Sequence, residues 1–174
     1  MKLLKLALVC YLVAVLGACA KHETNTAGFV AKHEFSGRLL VMSPKHRFQM
    51  EMDWSADENK GSLRLTHGLS GRIVHVLWEN EKMLWRDNGS PSYWKPLSEQ
   101  SLLEMGIILP PWTLARIFLG DMPSSMKTAD SRTWKGQWGE VDLRVRWTNK
   151  QQRVELTDIK HGRRAVVVFD APDL

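Results

Sequence analysis

The chain has 174 residues, of which 44% are hydrophobic and 25% charged, and its formal net charge is +5. This length is enough for one domain with a sizeable core. The two cysteines, Cys10 and Cys19, both lie near the amino terminus. A disulfide, a thiol nucleophile or a cysteine-ligated metal in the remaining chain is therefore excluded.

The first 18 residues have the pattern of an export signal. Lys2 and Lys5 precede an apolar run over 6–16, which is shorter than the ~20 residues that a transmembrane helix needs. Residues 16–19 then read Leu-Gly-Ala-Cys, which resembles the bacterial lipobox, in which the cysteine carries acyl chains such as palmitate. We expect a lipoprotein signal peptide over 1–18 and lipid attachment at Cys19. An ordinary signal peptide that happens to contain a cysteine is the alternative.

The residue after the cysteine bears on localisation. In bacterial lipoproteins an Asp at this position commonly means retention in the inner membrane, and here the residue is Ala20. The resemblance therefore implies a lipid anchor in the outer membrane of a Gram-negative bacterium, with the domain facing the periplasm. Residues 19–33 are polar and rich in small side chains, so we interpret them as the lipidated cysteine and a flexible tether to a domain over 34–174.

Charge and motifs exclude several classes of function. Of the 24 Lys and Arg, Lys2 and Lys5 leave with the signal, so 22 remain against 19 Asp and Glu, a net charge of +3. This mild excess suits a protein beside an anionic membrane. Nucleic-acid binding would need a clustered basic face with stacking aromatics, and the export signal argues against it. The histidines at 46, 67, 75 and 161 have no metal-binding or catalytic motif around them. We predict no catalytic residue, metal or cofactor, hence no enzyme.

From residue 34 the hydrophobic pattern has a period of two. Phe35, Gly37, Leu39 and Val41 share one face of a first strand, and Phe48, Met50, Met52 and Trp54 alternate with polar residues in the next. Further segments bring the total to about nine strands. Alternation with one charged face predicts antiparallel pairing. Arg38 falls on the outer face by this alternation, although a bond from its guanidinium to carbonyl groups at an end of the sheet is an alternative.

Residues 97–123 contain two short predicted helices. Ser98 is a candidate N-cap and Gly106 a candidate end for the first helix. Pro110 and Pro111 begin the second, which Gly120 and Pro123 end. Helices this short are marginal alone, so their apolar sides must pack on the strands. The expected fold is mostly β with α: an incomplete antiparallel β-barrel, formed by a strongly curved sheet, with a short helical plug covering the hollow.

Three segments together resemble the LolB family of outer-membrane lipoprotein receptors, over about residues 34–170. They are Phe35-Ser36-Gly37-Arg38-Leu39, the loop Gly68-Leu69-Ser70, and residues 102–123, LLEMGIILPPWTLARIFLGDMP. The family's central motif is matched at Leu103, Gly106, Leu109, Pro110, Leu114, Leu119, Gly120 and Pro123. The family's Pro-Leu-Gly loop is Gly-Leu-Ser here, and Ile117 or Phe118 stands where the family has a tryptophan.

The resemblance implies a LolA/LolB-like fold and a monomeric chaperone of lipoprotein localisation. Such a receptor accepts triacylated lipoproteins from a periplasmic LolA-like carrier, holds their acyl chains in an apolar cavity, and inserts them into the outer-membrane lipid. It also implies a membrane-insertion loop at Gly68, Leu69 and Ser70. The predicted cavity residues are Leu39, Val41, Met50, Met52, Trp54, Leu63, Leu65, Leu103, Ile107, Leu114, Ile117 and Phe118.

Other interpretations of the same residues stay open. The inward Met and Trp side chains suit variable apolar guests, but they are also consistent with a plain core that uses Met as filler. Leu69 is either a projecting membrane probe or a side chain that folds back over the sheet edge. The alternative function is an accessory outer-membrane lipoprotein that uses the sheet as a protein-docking surface. A connected apolar cavity favours a receptor, whereas a packed core with an apolar patch outside favours a docking module.

Overall fold

The computed structural model describes residues 30–45, 47–89, 93–104 and 107–170. The predicted signal peptide, Cys19, most of the tether, and the predicted helix end at Gly106 lie outside the described residues. The strands are β1 (Glu34–Met42), β2 (Arg47–Ala56), β3 (Lys60–Thr66), β4 (Ile73–Glu79), β5 (Lys82–Asp87), β6 (Lys95–Leu97), β7 (Lys127–Thr128), β8 (Thr133–Trp138), β9 (Val141–Thr148), β10 (Arg153–Asp158) and β11 (Arg163–Phe169). The α-helices are α1 (Glu99–Glu104) and α2 (Pro111–Phe118).

All eleven strands belong to one antiparallel sheet with the order β6-β5-β4-β3-β2-β1-β11-β10-β9-β8-β7. The first and last long strands of the chain, β1 and β11, pair at its centre. The sheet is curved and open, with β6 and β7 at its edges, so the predicted mostly-β class with two helices is confirmed. The predicted count of nine strands was too low because β6 and β7, at three and two residues, are too short to show an alternating pattern.

Alternation gives the sheet an apolar inner face and a more polar outer face, although Leu40 and Val166 pair on the outer face of β1 and β11. In the central pair Leu39 lies opposite Met50 on one side and Val167 on the other. Arg38, one position earlier, lies opposite Glu51 and is exposed. The prediction that Arg38 belongs to the outer face is therefore confirmed, and the period of two accounts for it.

The two helices connect opposite edges of the sheet, since the chain runs from β6 through α1 and α2 to β7. Ser98 caps α1 as predicted, because its hydroxyl accepts a hydrogen bond from the Ser101 N–H at 3.1 Å. After α2, Gly120 has φ 88°, and the Asp121 N–H donates to the Arg116 carbonyl at 2.8 Å. This is the left-handed C-terminal motif for which glycine is favoured.

Phe118, at the end of α2, is the centre of the core. Its ring is 5.0 Å from that of Trp54, 5.5 Å from Phe35 and 5.8 Å from Phe169. Trp147 lies at 6.4 Å. These four rings come from β1, β2, β9 and β11, so the sheet curves around the helix. We call the space between the inner face of the sheet and the two helices the hollow.

The antiparallel connections define two ends of the sheet. The turns after β1, β3, β5, β8 and β10 lie at one end, which we call the upper end. The turns after β2, β4 and β9 lie at the lower end, where the described chain also begins. The Lys32 N–H donates to the Phe118 carbonyl at 2.9 Å, which ties the segment before β1 to the end of α2.

Candidate functional site

The structure brings the predicted cavity residues together on the two walls of the hollow. Buried in one continuous core are Leu39, Val41, Met52, Trp54, Leu63, Leu65, Leu114, Ile117 and Phe118. Met50, Leu103 and Ile107 are half-buried. The side chains around Phe118 pack against one another, so a guest in this part of the hollow would replace contacts that α2 now makes. An acyl-binding role for these residues stays a prediction.

A cleft of about 750 Å³ opens at the upper end, beneath α1. Its helical wall contains Leu103 and Ile107, two of the predicted residues, and continues into the buried pair Ile108 and Leu109. The opposite wall consists of the turns at 43–45, 138–141 and 161–163. We call this opening the α1 cleft. Leu102 is the buried residue of α1, so little apolar surface holds this helix against the sheet.

A buried ion pair lies beside the α1 cleft. Asp158 is 0% exposed on the inner face of β10, and the Arg163 guanidinium donates to its carboxylate, with Nε at 2.8 Å. His161 Nδ1 lies 2.8 Å from the same oxygen. Burial raises the pKa of Asp158, but the hydrogen bonds from Arg163 and His161 outweigh burial and leave the pKa below its usual value. The three side chains fasten the β10–β11 turn at this end.

A second cleft, of about 1350 Å³, opens at the lower end beside α2, and we call it the α2 cleft. Trp78 and Gly61 contribute to its wall on the sheet, and Trp112 and Arg116 contribute to its wall on α2. Trp78 lies across the backbone of Gly61, where an added Cβ would stand 2.3 Å from the indole Cζ2. Glycine at position 61 is what allows the indole to lie against the strand.

The hairpin between β3 and β4 is braced at its base. The His67 N–H donates to the Arg72 carbonyl at 2.9 Å, and the Gly71 N–H donates to the His67 carbonyl at 2.9 Å. Asn88 donates to the Gly71 carbonyl from the neighbouring loop at 2.9 Å. Gly71 has φ +62°, a conformation that favours glycine. These bonds hold the backbone on both sides of the tip.

Leu69 stands at the tip of this hairpin and is 98% exposed. The Leu69 side chain therefore projects into solvent and does not fold back over the sheet edge, which was the other position considered. Gly68 beside it has open space where a side chain would be. Two other large apolar side chains are exposed in loops at the upper end, Tyr93 at 58% and Ile159 at 55%. The upper end therefore presents several apolar side chains to solvent.

His75 lies on the outer face of β4, and its ring is 5.2 Å from that of Trp94. Burial, followed by the charges of Arg86 and Arg64, lowers its pKa, so the imidazole is neutral near pH 7. Within the described ranges, no group of three or more His, Cys, Asp or Glu residues could hold a metal ion. The same ranges contain no helix long and apolar enough to cross a membrane.

Sequence reasoning missed two features of this arrangement. Alternation in β4 places Trp78 on the inner face, but only the structure shows its indole packed against Trp54, with ring centroids 5.0 Å apart. The second feature is Asp158, which lies on the inner face, where the alternating pattern predicts an apolar residue. Its partners are His161, in the turn after β10, and Arg163, at the start of β11. The sequence did contain a signal for this ion pair, because Asp158 falls at the same alternation as the apolar Val154 and Leu156 of β10.

The described residues thus define a class: an open, curved antiparallel sheet whose apolar inner face is covered by two helices that join its edges. No family model and no curated protein matches the sequence. Among solved structures, the chain is similar to a LolA superfamily protein from Nitrosomonas europaea, with 13% sequence identity and a TM-score of 0.47. The alignment covers 86% of this chain and 92% of that chain.

Proposed function

We propose that this protein is a lipid-anchored receptor of the outer membrane that takes lipoproteins from a periplasmic carrier and transfers them into the membrane. The acyl chains of the cargo would lie in the hollow, and the protein would act without enzymatic chemistry. The observation that carries the proposal is the apolar inner face of the sheet, which two short helices cover and which has a cleft at each end. The lipobox at Cys19 and the motifs of residues 102–123 support the same interpretation.

Free energy favours such a site for acyl chains. Each CH₂ group of an acyl chain left in water costs about 0.8 kcal/mol, so a carrier or receptor must bury the chains. An acyl chain that takes the place of the Leu114, Ile117 or Phe118 side chain would make apolar contacts with the sheet in place of those that the side chain makes now. This exchange costs little beyond moving the helix. Of the two helices, α1 opens more cheaply, because Leu102 is its buried residue, whereas α2 buries six of its eight residues.

The upper end is the part of the molecule that we expect to touch the membrane. Leu69 projects there on a braced hairpin, and Tyr93 and Ile159 add apolar surface. Lys45 and Lys160 are exposed at the same end. Basic side chains near an anionic membrane contribute roughly 1 kcal/mol each, and the apolar tip would insert between the lipids.

The proposed anchor can reach the membrane that Leu69 touches. Val30, the first described residue, lies near the lower end, where its N–H donates to Gln151 at 2.8 Å. The nine residues of β1 span about 30 Å toward the upper end. The eleven residues from Cys19 to Val30 span at most about 36–40 Å when extended. The tether is therefore just long enough for anchor and hairpin to engage one membrane.

The anchor can be tested by the variant Cys19→Ser. Cys19 is the candidate acylation site, so its loss removes the lipid and we expect the protein to move from the outer-membrane fraction to the soluble fraction. The measurement is fractionation of cell membranes followed by immunoblotting, with Cys10→Ser as a matched control that should stay in the membrane. Wild-type fractionation of Cys19→Ser would show that the lipobox interpretation is wrong.

The receptor function can be tested by transfer. The purified domain is mixed with a periplasmic carrier loaded with radiolabelled lipoprotein, and cargo bound to each protein is measured after they are separated. We expect label to move to the domain, and then to liposomes when these are added. A domain that never takes label from a loaded carrier is not a receptor.

The role of the hollow can be tested at the α1 cleft with Leu103→Lys. Leu103 is half-buried, so the lysine can extend into the cleft and the unfolding free energy should change by less than about 1 kcal/mol. The charge would nevertheless stand where acyl chains end, and we expect binding of an uncharged fluorescent acyl ester to fall at least tenfold. Ile159→Lys, on an exposed turn, is the matched control. Wild-type binding by Leu103→Lys would place the acyl chains elsewhere.

A second candidate is an accessory lipoprotein that docks a protein on its sheet. The packing of aromatic rings around Phe118 favours it, since a docking module needs a filled core. The transfer experiment and the acyl-ester binding measurement separate the two functions, because a docking module would bind neither the labelled lipoprotein nor the ester.

A further inference from the structure

Two buried indole groups lie in the lower part of the hollow. Trp54 is 2% exposed and Trp78 is 3% exposed, and their ring centroids are 5.0 Å apart. Neither Nε1–H has a hydrogen-bond acceptor among the described residues. Most buried polar groups in proteins are paired, and an unpaired one costs about 1–3 kcal/mol. Two such donors on neighbouring rings therefore require an explanation.

Packing holds both indoles in place. The ring of Trp54 stacks on Phe35 at 6.0 Å and meets the edge of Phe118 at 5.0 Å. The indole of Trp78 rests on the backbone of Gly61, as described above. The rings are therefore fixed by their apolar atoms rather than by their N–H groups. Both nitrogens are buried in the described structure, so a ligand that accepts hydrogen bonds from them must first displace side chains of α2 that cover the hollow.

The chemistry of these donors limits the ligand. An indole N–H donates and cannot accept, so the ligand must provide acceptor oxygens. The surroundings are aromatic and aliphatic, so those oxygens must be attached to apolar chains and carry no charge. Ester carbonyl groups at the head of an acyl chain meet both conditions.

We propose that Trp54 and Trp78 donate hydrogen bonds to the ester carbonyl oxygens of a bound diacylglyceryl group. The group enters from the α2 cleft, whose wall includes Trp78, and its chains extend through the hollow toward the α1 cleft. This assignment rests on the proposed function and adds a polar subsite to it. The indoles would thereby distinguish ester-linked acyl chains from other apolar guests.

The charge around the α2 cleft favours a neutral head group. The cleft is lined by fewer basic side chains than carboxylates. The three basic side chains are Lys60, Lys82 and Arg116. The five carboxylates are those of Glu34, Asp57, Glu58, Glu79 and Glu81. An anionic phosphate would meet a net negative rim, whereas a glyceryl thioether or a free glycerol hydroxyl would not. The ligand class is therefore a neutral diacylglyceryl group rather than an anionic phospholipid.

The test compares dioctanoylglycerol with dioctylglycerol, its ether analogue, which has the same chain length and lacks the two carbonyl oxygens. Binding of each to the purified domain is measured by calorimetry. With two hydrogen bonds at the usual net value, we expect the ester to bind the wild type roughly ten- to thirtyfold more tightly. In the double variant Trp54→Phe, Trp78→Phe this preference should fall to about one. Trp134→Phe, a buried indole on β8, is the matched control and should keep the preference.

Spectra of the wild type provide a second measurement that does not depend on the folding of variants. The indole ¹H–¹⁵N resonances of Trp54 and Trp78, assigned from through-space contacts in the wild type, should move downfield with the ester and not with the ether. Equal binding of ester and ether, or unmoved resonances, would overturn the inference while leaving acyl binding in place. If neither compound binds, the proposed function fails and the inference fails with it.

Discussion

The variant Leu69→Glu should slow delivery of cargo into liposomes ten- to hundredfold while leaving the domain folded and able to accept cargo. Leu69 is 98% exposed, so replacing it should change the unfolding free energy by no more than about 0.5 kcal/mol. Burying the leucine in a membrane contributes about 1.5–3 kcal/mol, which the charged glutamate forgoes. A loss of that size corresponds to a ten- to hundredfold lower rate of delivery.

Three measurements on the same protein separate this effect from a general defect. Urea unfolding reports stability, uptake of label from a loaded carrier reports acceptance, and transfer of label to liposomes reports delivery. Val30→Glu is the matched control, since Val30 is also exposed but lies near the opposite end of the sheet. Wild-type delivery by Leu69→Glu would rule out the tip as a membrane probe. Slow delivery by both variants would show that any added charge is harmful.

Alternation along the strands was the strongest signal in the sequence. A side-chain period of two is imposed by the strand itself, so Leu39, Met52 and Leu65 were assigned to the inner face without knowledge of pairing. The helices were predictable for a different reason. Ser98 and Gly120 satisfy backbone groups at helix ends, and this local chemistry is visible in the sequence. The sequence left open whether Leu69 projects or folds back over the sheet edge, and the structure shows it projecting beside Gly68.

Features that depend on contacts between distant residues could not be predicted. The sequence indicated a hollow, but whether side chains fill it depends on Phe118 meeting rings from four strands. The two clefts lie where turns that are far apart in the chain meet a helix. The edge strand β7 contributes two residues, and its pairing with β8 is decided by tertiary structure rather than by pattern.

The ion pair of Asp158 and Arg163 should make a measurable part of the stability depend on pH. Removing one partner of a buried pair costs about 3–5 kcal/mol because a charge is left unpaired. Asp158→Asn keeps one acceptor oxygen for Arg163, so we expect the unfolding free energy at pH 7 to fall by about 3 kcal/mol. Asp121→Asn is the matched control. Its partner Arg116 is 2.7 Å away, but both side chains are exposed, and such pairs contribute less than about 1 kcal/mol.

The direction of the pH effect follows from the lowered pKa of Asp158. In the unfolded chain an aspartate titrates at about pH 3.9, so the stabilisation is complete above that value and is lost as pH falls through the lower pKa of Asp158 in the folded protein. Urea unfolding of wild type and Asp158→Asn between pH 7 and pH 2 should show two curves that differ most at neutral pH and converge in acid. Parallel curves over the whole range would mean that the stability difference arises from packing of the side chain and not from its charge.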